Sequence, residues 1–113
     1  MTYIKINDNL IPAAISGYMK DNAWDGRESK AITVEMTHAE AAEIFVEELA
    51  WSIVMDVRSE DAEGNAVIEQ EEYDNSEYSV AGSITDNRDG TVTVKMGKPT
   101  AEERLAELME VLA

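Results

Sequence analysis

The chain of 113 residues contains no cysteine, which excludes disulfide bonds, thiolate nucleophiles and zinc sites built from thiolates. Its one histidine, His38, falls at the predicted start of a helix, and no serine lies in a Gly-x-Ser-x-Gly sequence, so hydrolase chemistry is not expected. No apolar run is long enough to cross a membrane, and the first residues lack a signal-peptide pattern. We therefore predict a protein that is not an enzyme, binds no cofactor or metal, and stays in the cytoplasm unless a larger assembly carries it out.

Basic residues are also scarce: nine lysines and arginines stand against 24 acidic residues, which gives a formal charge of −15. Residues 56–78 hold nine of the carboxylates and a single base, Arg58. A strong negative field repels nucleic acid and anionic membranes, and it favours a basic protein or one that itself binds a phosphate backbone. The charge thus predicts a protein partner with a basic surface, and neither direct nucleic-acid binding nor membrane binding.

The apolar residues are periodic, which predicts one folded α+β domain over residues 1–113. The predicted element order is βββαβββα, a mostly antiparallel sheet or split barrel of about six strands with two amphipathic helices packed on it. Thr37 and Thr100 each begin a Thr-x-x-Glu capping box, which predicts the two helix starts. The predicted strands cover residues 3–6, 10–15, 31–36, 51–57, 78–84 and 91–96. The predicted buried stripes of the helices are Ala42, Phe45, Val46 and Leu49 in the first, and Leu105, Leu108, Met109 and Leu112 in the second.

Two interruptions modify this pattern. Pro12 cannot donate a hydrogen bond within a sheet, so the second strand is predicted to lie at a sheet edge or to carry a bulge at the proline. Residues 17–29 have no apolar period and contain a polar turn around Trp24, so they are predicted to form a loop.

Residues 58–76 also lose the period, which predicts a long acidic loop or an excursion hairpin in which residues 66–68 form a short strand. Oxygen-bearing residues from Asp61 to Glu72 match ligand places 1, 3, 5, 9 and 12 of a calcium-binding loop. The sixth place of such a loop needs glycine for a sharp turn, and here it is Ala66. A solvated acidic segment is therefore favoured over a calcium site.

The densest run of acidic and aromatic side chains lies at the end of this segment. Aromatic rings can anchor a protein partner while carboxylates pair with its lysines and arginines, so the run predicts a docking surface. The alternative is a solvated stretch that keeps the protein soluble. Trp24 either folds back onto the core, the commoner fate of such a residue, or contacts a partner. The predicted partner-binding residues are Glu69, Glu71, Glu72, Tyr73, Asp74, Glu77, Tyr78 and Trp24.

Three stretches of the sequence resemble those of small phage and prophage proteins of Gram-positive gut bacteria. They are WDGRESKAIT at residues 24–33, YDNSEY at residues 73–78 and AGSITDNRDGTVTVKMGK at residues 81–98. The resemblance covers nearly the whole chain. It implies a phage-encoded protein, often encoded near tail genes and located in the host cytoplasm or in the virion, and it implies no catalytic residue.

Two functions are consistent with these features. The first is a non-enzymatic tail-region structural or assembly component that binds other proteins through its loops and sheet edge. The second is an acidic inhibitor of a host defence nuclease, which would occupy the groove for nucleic acid as DNA mimics and some anti-CRISPR proteins do. The resemblance favours the first function, and the charge favours the second.

Overall fold

Seven strands between residues 1 and 112, the residues that the structure describes, form one antiparallel sheet in this computed structural model. The predicted α+β class and the mostly antiparallel sheet are confirmed, with seven strands rather than about six. The strands are β1 (Thr2–Ile6), β2 (Asn9–Asp21), β3 (Arg27–Glu35), β4 (Ser52–Glu60), β5 (Ala66–Asp74), β6 (Val80–Asp86) and β7 (Thr91–Gly97). A 3-10 helix (Asn22–Trp24) follows β2, and the α-helices are α1 (His38–Ile44) and α2 (Ala101–Leu112). The order across the sheet is β5-β4-β1-β2-β3-β7-β6.

The long strand β2 joins the two halves of this sheet. Asn7 and Asp8 both have positive φ, 51° and 66°, which suits the two-residue turn between β1 and β2. Residues 9–12 of β2 pair with β1, residues 13–18 pair with β3, and after a register shift Asp21 pairs with Arg27. Pro12 is the last residue in register with β1, so its missing N–H falls where the strand changes partners. Neither predicted alternative is present, because β2 is the central strand and its pairing with β1 runs through Pro12 without a register shift.

The hydrophobic core lies on one face of the sheet. Ile4 is opposite both Ile11 and Ile53, and Val34 is opposite both Ala13 and Val92, so apolar side chains run in rows across the strands. Helix α1 covers the part of this face near β6 and β7. Trp51 and Tyr78 complete the core. The most deeply buried members are Ile4, Ile32, Val34, Ala41, Trp51, Val92, Val94 and Met96.

The capping box of α1 is confirmed. The Thr37 hydroxyl accepts from the Glu40 N–H (3.1 Å), and the Glu40 carboxylate accepts from the Thr37 N–H (3.4 Å). The helix ends at Ile44, so it is too short for the predicted stripe. Ala41 and Phe45, four residues apart, are its buried contacts, whereas Ala42 and Val46 are exposed.

Helix α2 begins as predicted but does not pack on the sheet. The Thr100 hydroxyl accepts from the Glu103 N–H (3.2 Å), and the Glu103 carboxylate binds the buried Arg27 guanidinium (2.9 Å). The sheet surface beside this helix start is already occupied, because the Trp24 ring lies against Gly82 and Gly97. The predicted buried stripe was therefore wrong for Leu105, Leu108 and Met109, which are all more than half exposed, and the side chain of Leu112 lies outside those that the structure describes.

The predicted loop over residues 17–29 was also wrong in most of its length. Strand β2 continues to Asp21, and β3 begins at Arg27, so only five residues connect the two strands. Residues 17–20 are exposed on both faces of β2. A strand with two solvated faces has no apolar alternation for the sequence to reveal.

The contact between Trp24 and Gly82 gives a test of this packing. A methyl group at Gly82 would lie 2.6 Å from the Trp24 ring and 2.9 Å from the Lys95 carbonyl oxygen. We expect Gly82→Ala to lower the free energy of unfolding by about 1–3 kcal/mol, because the ring or the strand must move. Urea denaturation measures this change. Gly17→Ala is the matched control: nothing lies within 4 Å of its added methyl group, so no loss is expected. Equal effects of the two substitutions would contradict the position of Trp24.

Candidate functional site

The acidic segment forms a hairpin of β4 and β5 rather than a loop. Glu60 is opposite Ala66, and the pairing continues without a register shift to Ser52 opposite Asp74. Asp61 closes the turn, since its carboxylate accepts from the N–H groups of Glu63 and Asn65 (2.9 Å each). These backbone donors, Asn65 foremost, hold the pKa of Asp61 below its usual range. Of the two alternatives that the sequence left open, the excursion hairpin is the one present.

Strand β5 lies at one edge of the sheet and is exposed along most of its length. Residues directly opposite each other in an antiparallel pair share a face. Tyr73 is opposite Ile53 and Glu71 is opposite Met55, so these two side chains, together with Glu69, lie on the face that carries the core. Glu72 and Asp74 lie on the other face. One strand thus presents four carboxylates, two on each side of the sheet.

Few bases neutralise this strand. Lys5 binds the Glu72 carboxylate (3.0 Å), and this hydrogen bond raises the pKa of Lys5. The Tyr73 hydroxyl donates to Glu71, which raises the pKa of Tyr73. Within residues 1–112, no basic side chain forms an ion pair with Glu69, Glu71 or Asp74. Three of the four carboxylates are therefore left for an outside cation.

The outer backbone groups of β5 follow from its register. At the two ends of the hairpin, the Asp61 N–H donates to the Asn65 carbonyl (3.0 Å) and the Asn75 N–H donates to the Trp51 carbonyl (2.9 Å). Hydrogen-bonded and non-bonded pairs alternate in an antiparallel ladder. Residues 67, 69, 71 and 73 therefore bond to β4, while residues 68, 70, 72 and 74 direct their N–H and C=O groups outward. The Asp56 N–H donates to the Met1 carbonyl, on the side of β4 that faces β1 (3.0 Å). Asp56 is opposite Gln70, so this bond agrees with a non-bonded pair at that position of the β4–β5 ladder.

Tyr78 does not belong to this surface. Its side chain is only 6% exposed, and its ring meets Trp51 edge to face at 6.4 Å. Its hydroxyl donates to Glu28, and burial is the main cause that raises the pKa of Tyr78. The structure thus places Tyr78 in the core and in the connection before β6, outside the predicted partner-binding surface and outside the strand predicted over residues 78–84.

Trp24 and Glu77 also lie away from β5. The Trp24 ring covers Gly82 and Gly97, and the Arg27 guanidinium stacks over it at 4.6 Å. Trp24 has thus folded back onto the sheet, but on the face opposite the core rather than onto the core as predicted. Glu77, in the connection between β5 and β6, lies 3.5 Å from the Lys98 ammonium group. The structure therefore brings together five of the eight predicted residues: Glu69, Glu71, Glu72, Tyr73 and Asp74.

The calcium template is not a cluster in space. Asp61 lies in the turn, whereas Glu69 and Glu72 lie along the extended strand β5. At about 3.3 Å per residue, the strand from Ala66 to Glu72 spans about 20 Å. A calcium ion binds its ligands within about 2.6 Å, so these residues do not surround one ion. Within residues 1–112, no three histidine, aspartate or glutamate side chains are placed to hold a metal ion.

The sequence did not reveal the sheet edge itself. Ile68 and Gln70 belong to it through their outward backbone groups, and Ile68 is 72% exposed. The only sequence signal is the short run Ala66, Val67 and Ile68 before the acidic residues. The alternation that marks other strands is absent because both faces of β5 are solvated.

Comparison with known proteins adds no family to this description. No protein-family model matches the chain, and neither the curated proteins nor the solved structures include a match. Among residues 1–112, no helix is long and apolar enough to cross a membrane.

The buried position of Tyr78 predicts an alkaline instability. The folded-state pKa of Tyr78 is raised above its unfolded value of about 10. The stability that the protonated Tyr78 hydroxyl contributes to the folded state is therefore fully present below pH 10. Above that pH, an unfolded tyrosine ionises while the folded one stays protonated, and stability is lost as the pH rises towards the folded pKa. We expect Tyr78→Phe to cost about 1–2 kcal/mol at pH 7, through loss of the hydrogen bond to Glu28. The variant should also lose less stability than the wild type between pH 10 and pH 11.

Urea denaturation at pH 7, 10 and 11 measures both effects. Tyr18→Phe is the matched control, because Tyr18 is 45% exposed on β2 and the substitution should leave both values close to those of the wild type. If the wild type and Tyr78→Phe lost the same stability at alkaline pH, the buried position of this hydroxyl would be contradicted.

Proposed function

We propose that the chain is a non-enzymatic protein-binding module that holds a basic partner on its acidic edge strand β5. The observation that supports this most directly is the state of Glu69, Glu71 and Asp74. They are exposed on an edge strand whose outer side has no partner strand, and no base among residues 1–112 forms an ion pair with them. A basic surface that approached this edge would meet carboxylates on both faces of the sheet.

Electrostatics would act mainly on the rate of association. The chain carries a charge of −15, so its field attracts a basic protein over about one Debye length, roughly 8–10 Å in physiological salt. Each exposed ion pair contributes only about 0–1 kcal/mol to the binding free energy. The charge should therefore act mainly by making association fast and strongly salt-dependent. Tyr73, half exposed between the carboxylates and the core, would supply apolar contact.

The proposed setting is the tail region of a phage, where the chain would act as a structural or assembly component, in the virion or in the host cytoplasm before assembly. The resemblance to phage and prophage proteins supports this setting. An open sheet with an exposed edge strand and an exposed C-terminal helix also suits a subunit that is joined to others.

A second candidate function is inhibition of a host nuclease. Its support is the arrangement of β4 and β5 as a hairpin with carboxylates on both faces, because such a hairpin could enter a groove that binds phosphates. The two functions require different partners, virion proteins in one and a nuclease in the other.

Neutralising the edge tests the proposed function. The variant E69Q/E71Q/E72Q/D74N removes four charges from β5 while keeping the size of each side chain. We expect about a tenfold slower association with the partner and a weaker dependence on salt. The measurement is capture of proteins from phage-infected lysate by immobilised wild type and variant, with mass spectrometry and then surface plasmon resonance on the captured protein.

The matched control is E43Q/E47Q/E107Q/E110Q, which removes four charges from exposed positions on α1, α2 and the segment after α1. It should retain the wild-type association rate at 150 mM salt to within about twofold, because its charges lie away from the edge. Equal losses in both variants would show that only the net charge matters. No loss in either would overturn docking on β5. Virion proteins in the captured fraction would favour assembly, and a nuclease would favour inhibition.

A further inference from the structure

The two edges of the sheet differ in a way that singles out β5. Strand β6, at the other edge, has a register shift between Ala81 and Ile84, and the Trp24 ring lies against its Gly82. Irregular pairing and a covering side chain are common protections of edge strands. Strand β5 has neither: its nine residues contain no proline or glycine and pair with β4 in unbroken register. Its outer N–H and C=O groups, at residues 68, 70, 72 and 74, form a regular row.

The charge of β5 excludes one kind of occupant. If a second copy of the chain paired its own β5 with this edge, eight carboxylates would crowd along two adjacent strands. Like charges on neighbouring strands destabilise pairing, and acidic side chains are a known protection against edge-to-edge association. A strand with lysine or arginine opposite these carboxylates would instead gain both the ladder hydrogen bonds and the ion pairs.

We propose that the partner supplies an extended segment rich in lysine and arginine, which pairs with β5 and becomes an eighth strand of the sheet. This inference rests on the proposed function, since it specifies how the basic partner is held. Basic side chains on one face of the added strand would meet Glu69 and Glu71, and those on the other face would meet Asp74 and Glu72. An apolar residue of the segment would cover Ile68, which is 72% exposed.

A synthetic octapeptide provides the probe. The acetylated and amidated sequence Lys-Val-Lys-Lys-Thr-Lys-Val-Thr, aligned antiparallel to β5, places a lysine opposite each of Glu69, Glu71, Glu72 and Asp74. Its matched control is the same peptide with N-methyl groups at its third, fifth and seventh residues. In the unmodified peptide, the N–H groups at these positions would face β5. The control keeps every charge but cannot complete the ladder. Binding is measured by isothermal titration calorimetry at low salt.

Gln70→Pro tests the same ladder from the side of the protein. The Gln70 N–H points outward, so proline there removes an edge donor without removing a bond to β4, and edge strands tolerate proline in this position. Gln70→Ala is the matched control, because both substitutions remove the side-chain hydrogen bond to Asp56 but only proline removes the N–H. A thermal melt of each variant reports whether it folds.

We expect wild type and Gln70→Ala to bind the peptide equally, within about twofold. Gln70→Pro, and wild type with the methylated peptide, should bind at least about tenfold more weakly, the equivalent of about 1.4 kcal/mol. If Gln70→Pro does not fold, the methylated peptide alone decides. Equal binding of the two peptides, or failure of the wild type to bind the unmodified one, would overturn strand addition.

The outcomes separate this inference from the proposed function. If the methylated peptide binds as well as the unmodified one, and E69Q/E71Q/E72Q/D74N binds both more weakly, the acidic edge attracts basic segments without pairing with them. The proposed function would then stand and strand addition would not. If that neutralised variant binds the unmodified peptide as tightly as the wild type does, docking through the carboxylates is itself overturned.

Discussion

The position of every strand depends on how the 13 residues of β2 are paired. This strand bonds to β1 through residues 9–12 and to β3 through residues 13–18 and Asp21, so it connects two hairpin systems that would otherwise be separate sheets. A proline in the middle of a strand normally weakens a sheet, yet Pro12 lies where one partner ends and the next begins. Because the sheet grows outward from β2, its two edges fall on β5 and β6.

Most bases of the chain lie away from β5, the exceptions being Lys5, which binds Glu72, and Arg58, which is opposite Ile68. Lys95 binds Asp21 at 2.7 Å, a hydrogen bond that lowers the pKa of Asp21, and Arg27 binds Glu103. Lys98 binds Glu28, and its ammonium group lies over the Tyr78 ring at 5.1 Å. These contacts stabilise the end of the sheet where β3, β7 and α2 meet. Charge segregation of this kind leaves the opposite edge strongly negative without placing an unpaired carboxylate in the core.

Sequence patterns predicted the elements in which one side faces the core. Ile32 and Val34 alternate with Thr33 and Glu35 because the second half of β3 buries one face, and Thr37 with Glu40 marks the start of α1 because the capping hydrogen bonds are local. Patterns failed where no face is buried, as in residues 17–20 and along β5. They also misplaced Leu105, Leu108 and Met109, whose spacing indicates an apolar stripe but not what covers it. The acidic residues of the site were predicted from the sequence. The outward N–H and C=O groups of β5 were not, because they depend on long-range pairing with β4, which no local pattern encodes.

Docking of a basic segment depends above all on β5 being an ordered strand with one bonded and one open side. Amide hydrogen exchange of the free protein, followed residue by residue by NMR, tests this directly. We expect slow exchange at Glu69, Glu71 and Tyr73, whose N–H groups bond to β4, and fast exchange at Ile68, Gln70 and Glu72, whose N–H groups point outward. Uniformly fast exchange over residues 66–74 would mean that the edge strand does not form. Uniformly slow exchange would mean that the edge is already covered, and either result would contradict an open acidic strand.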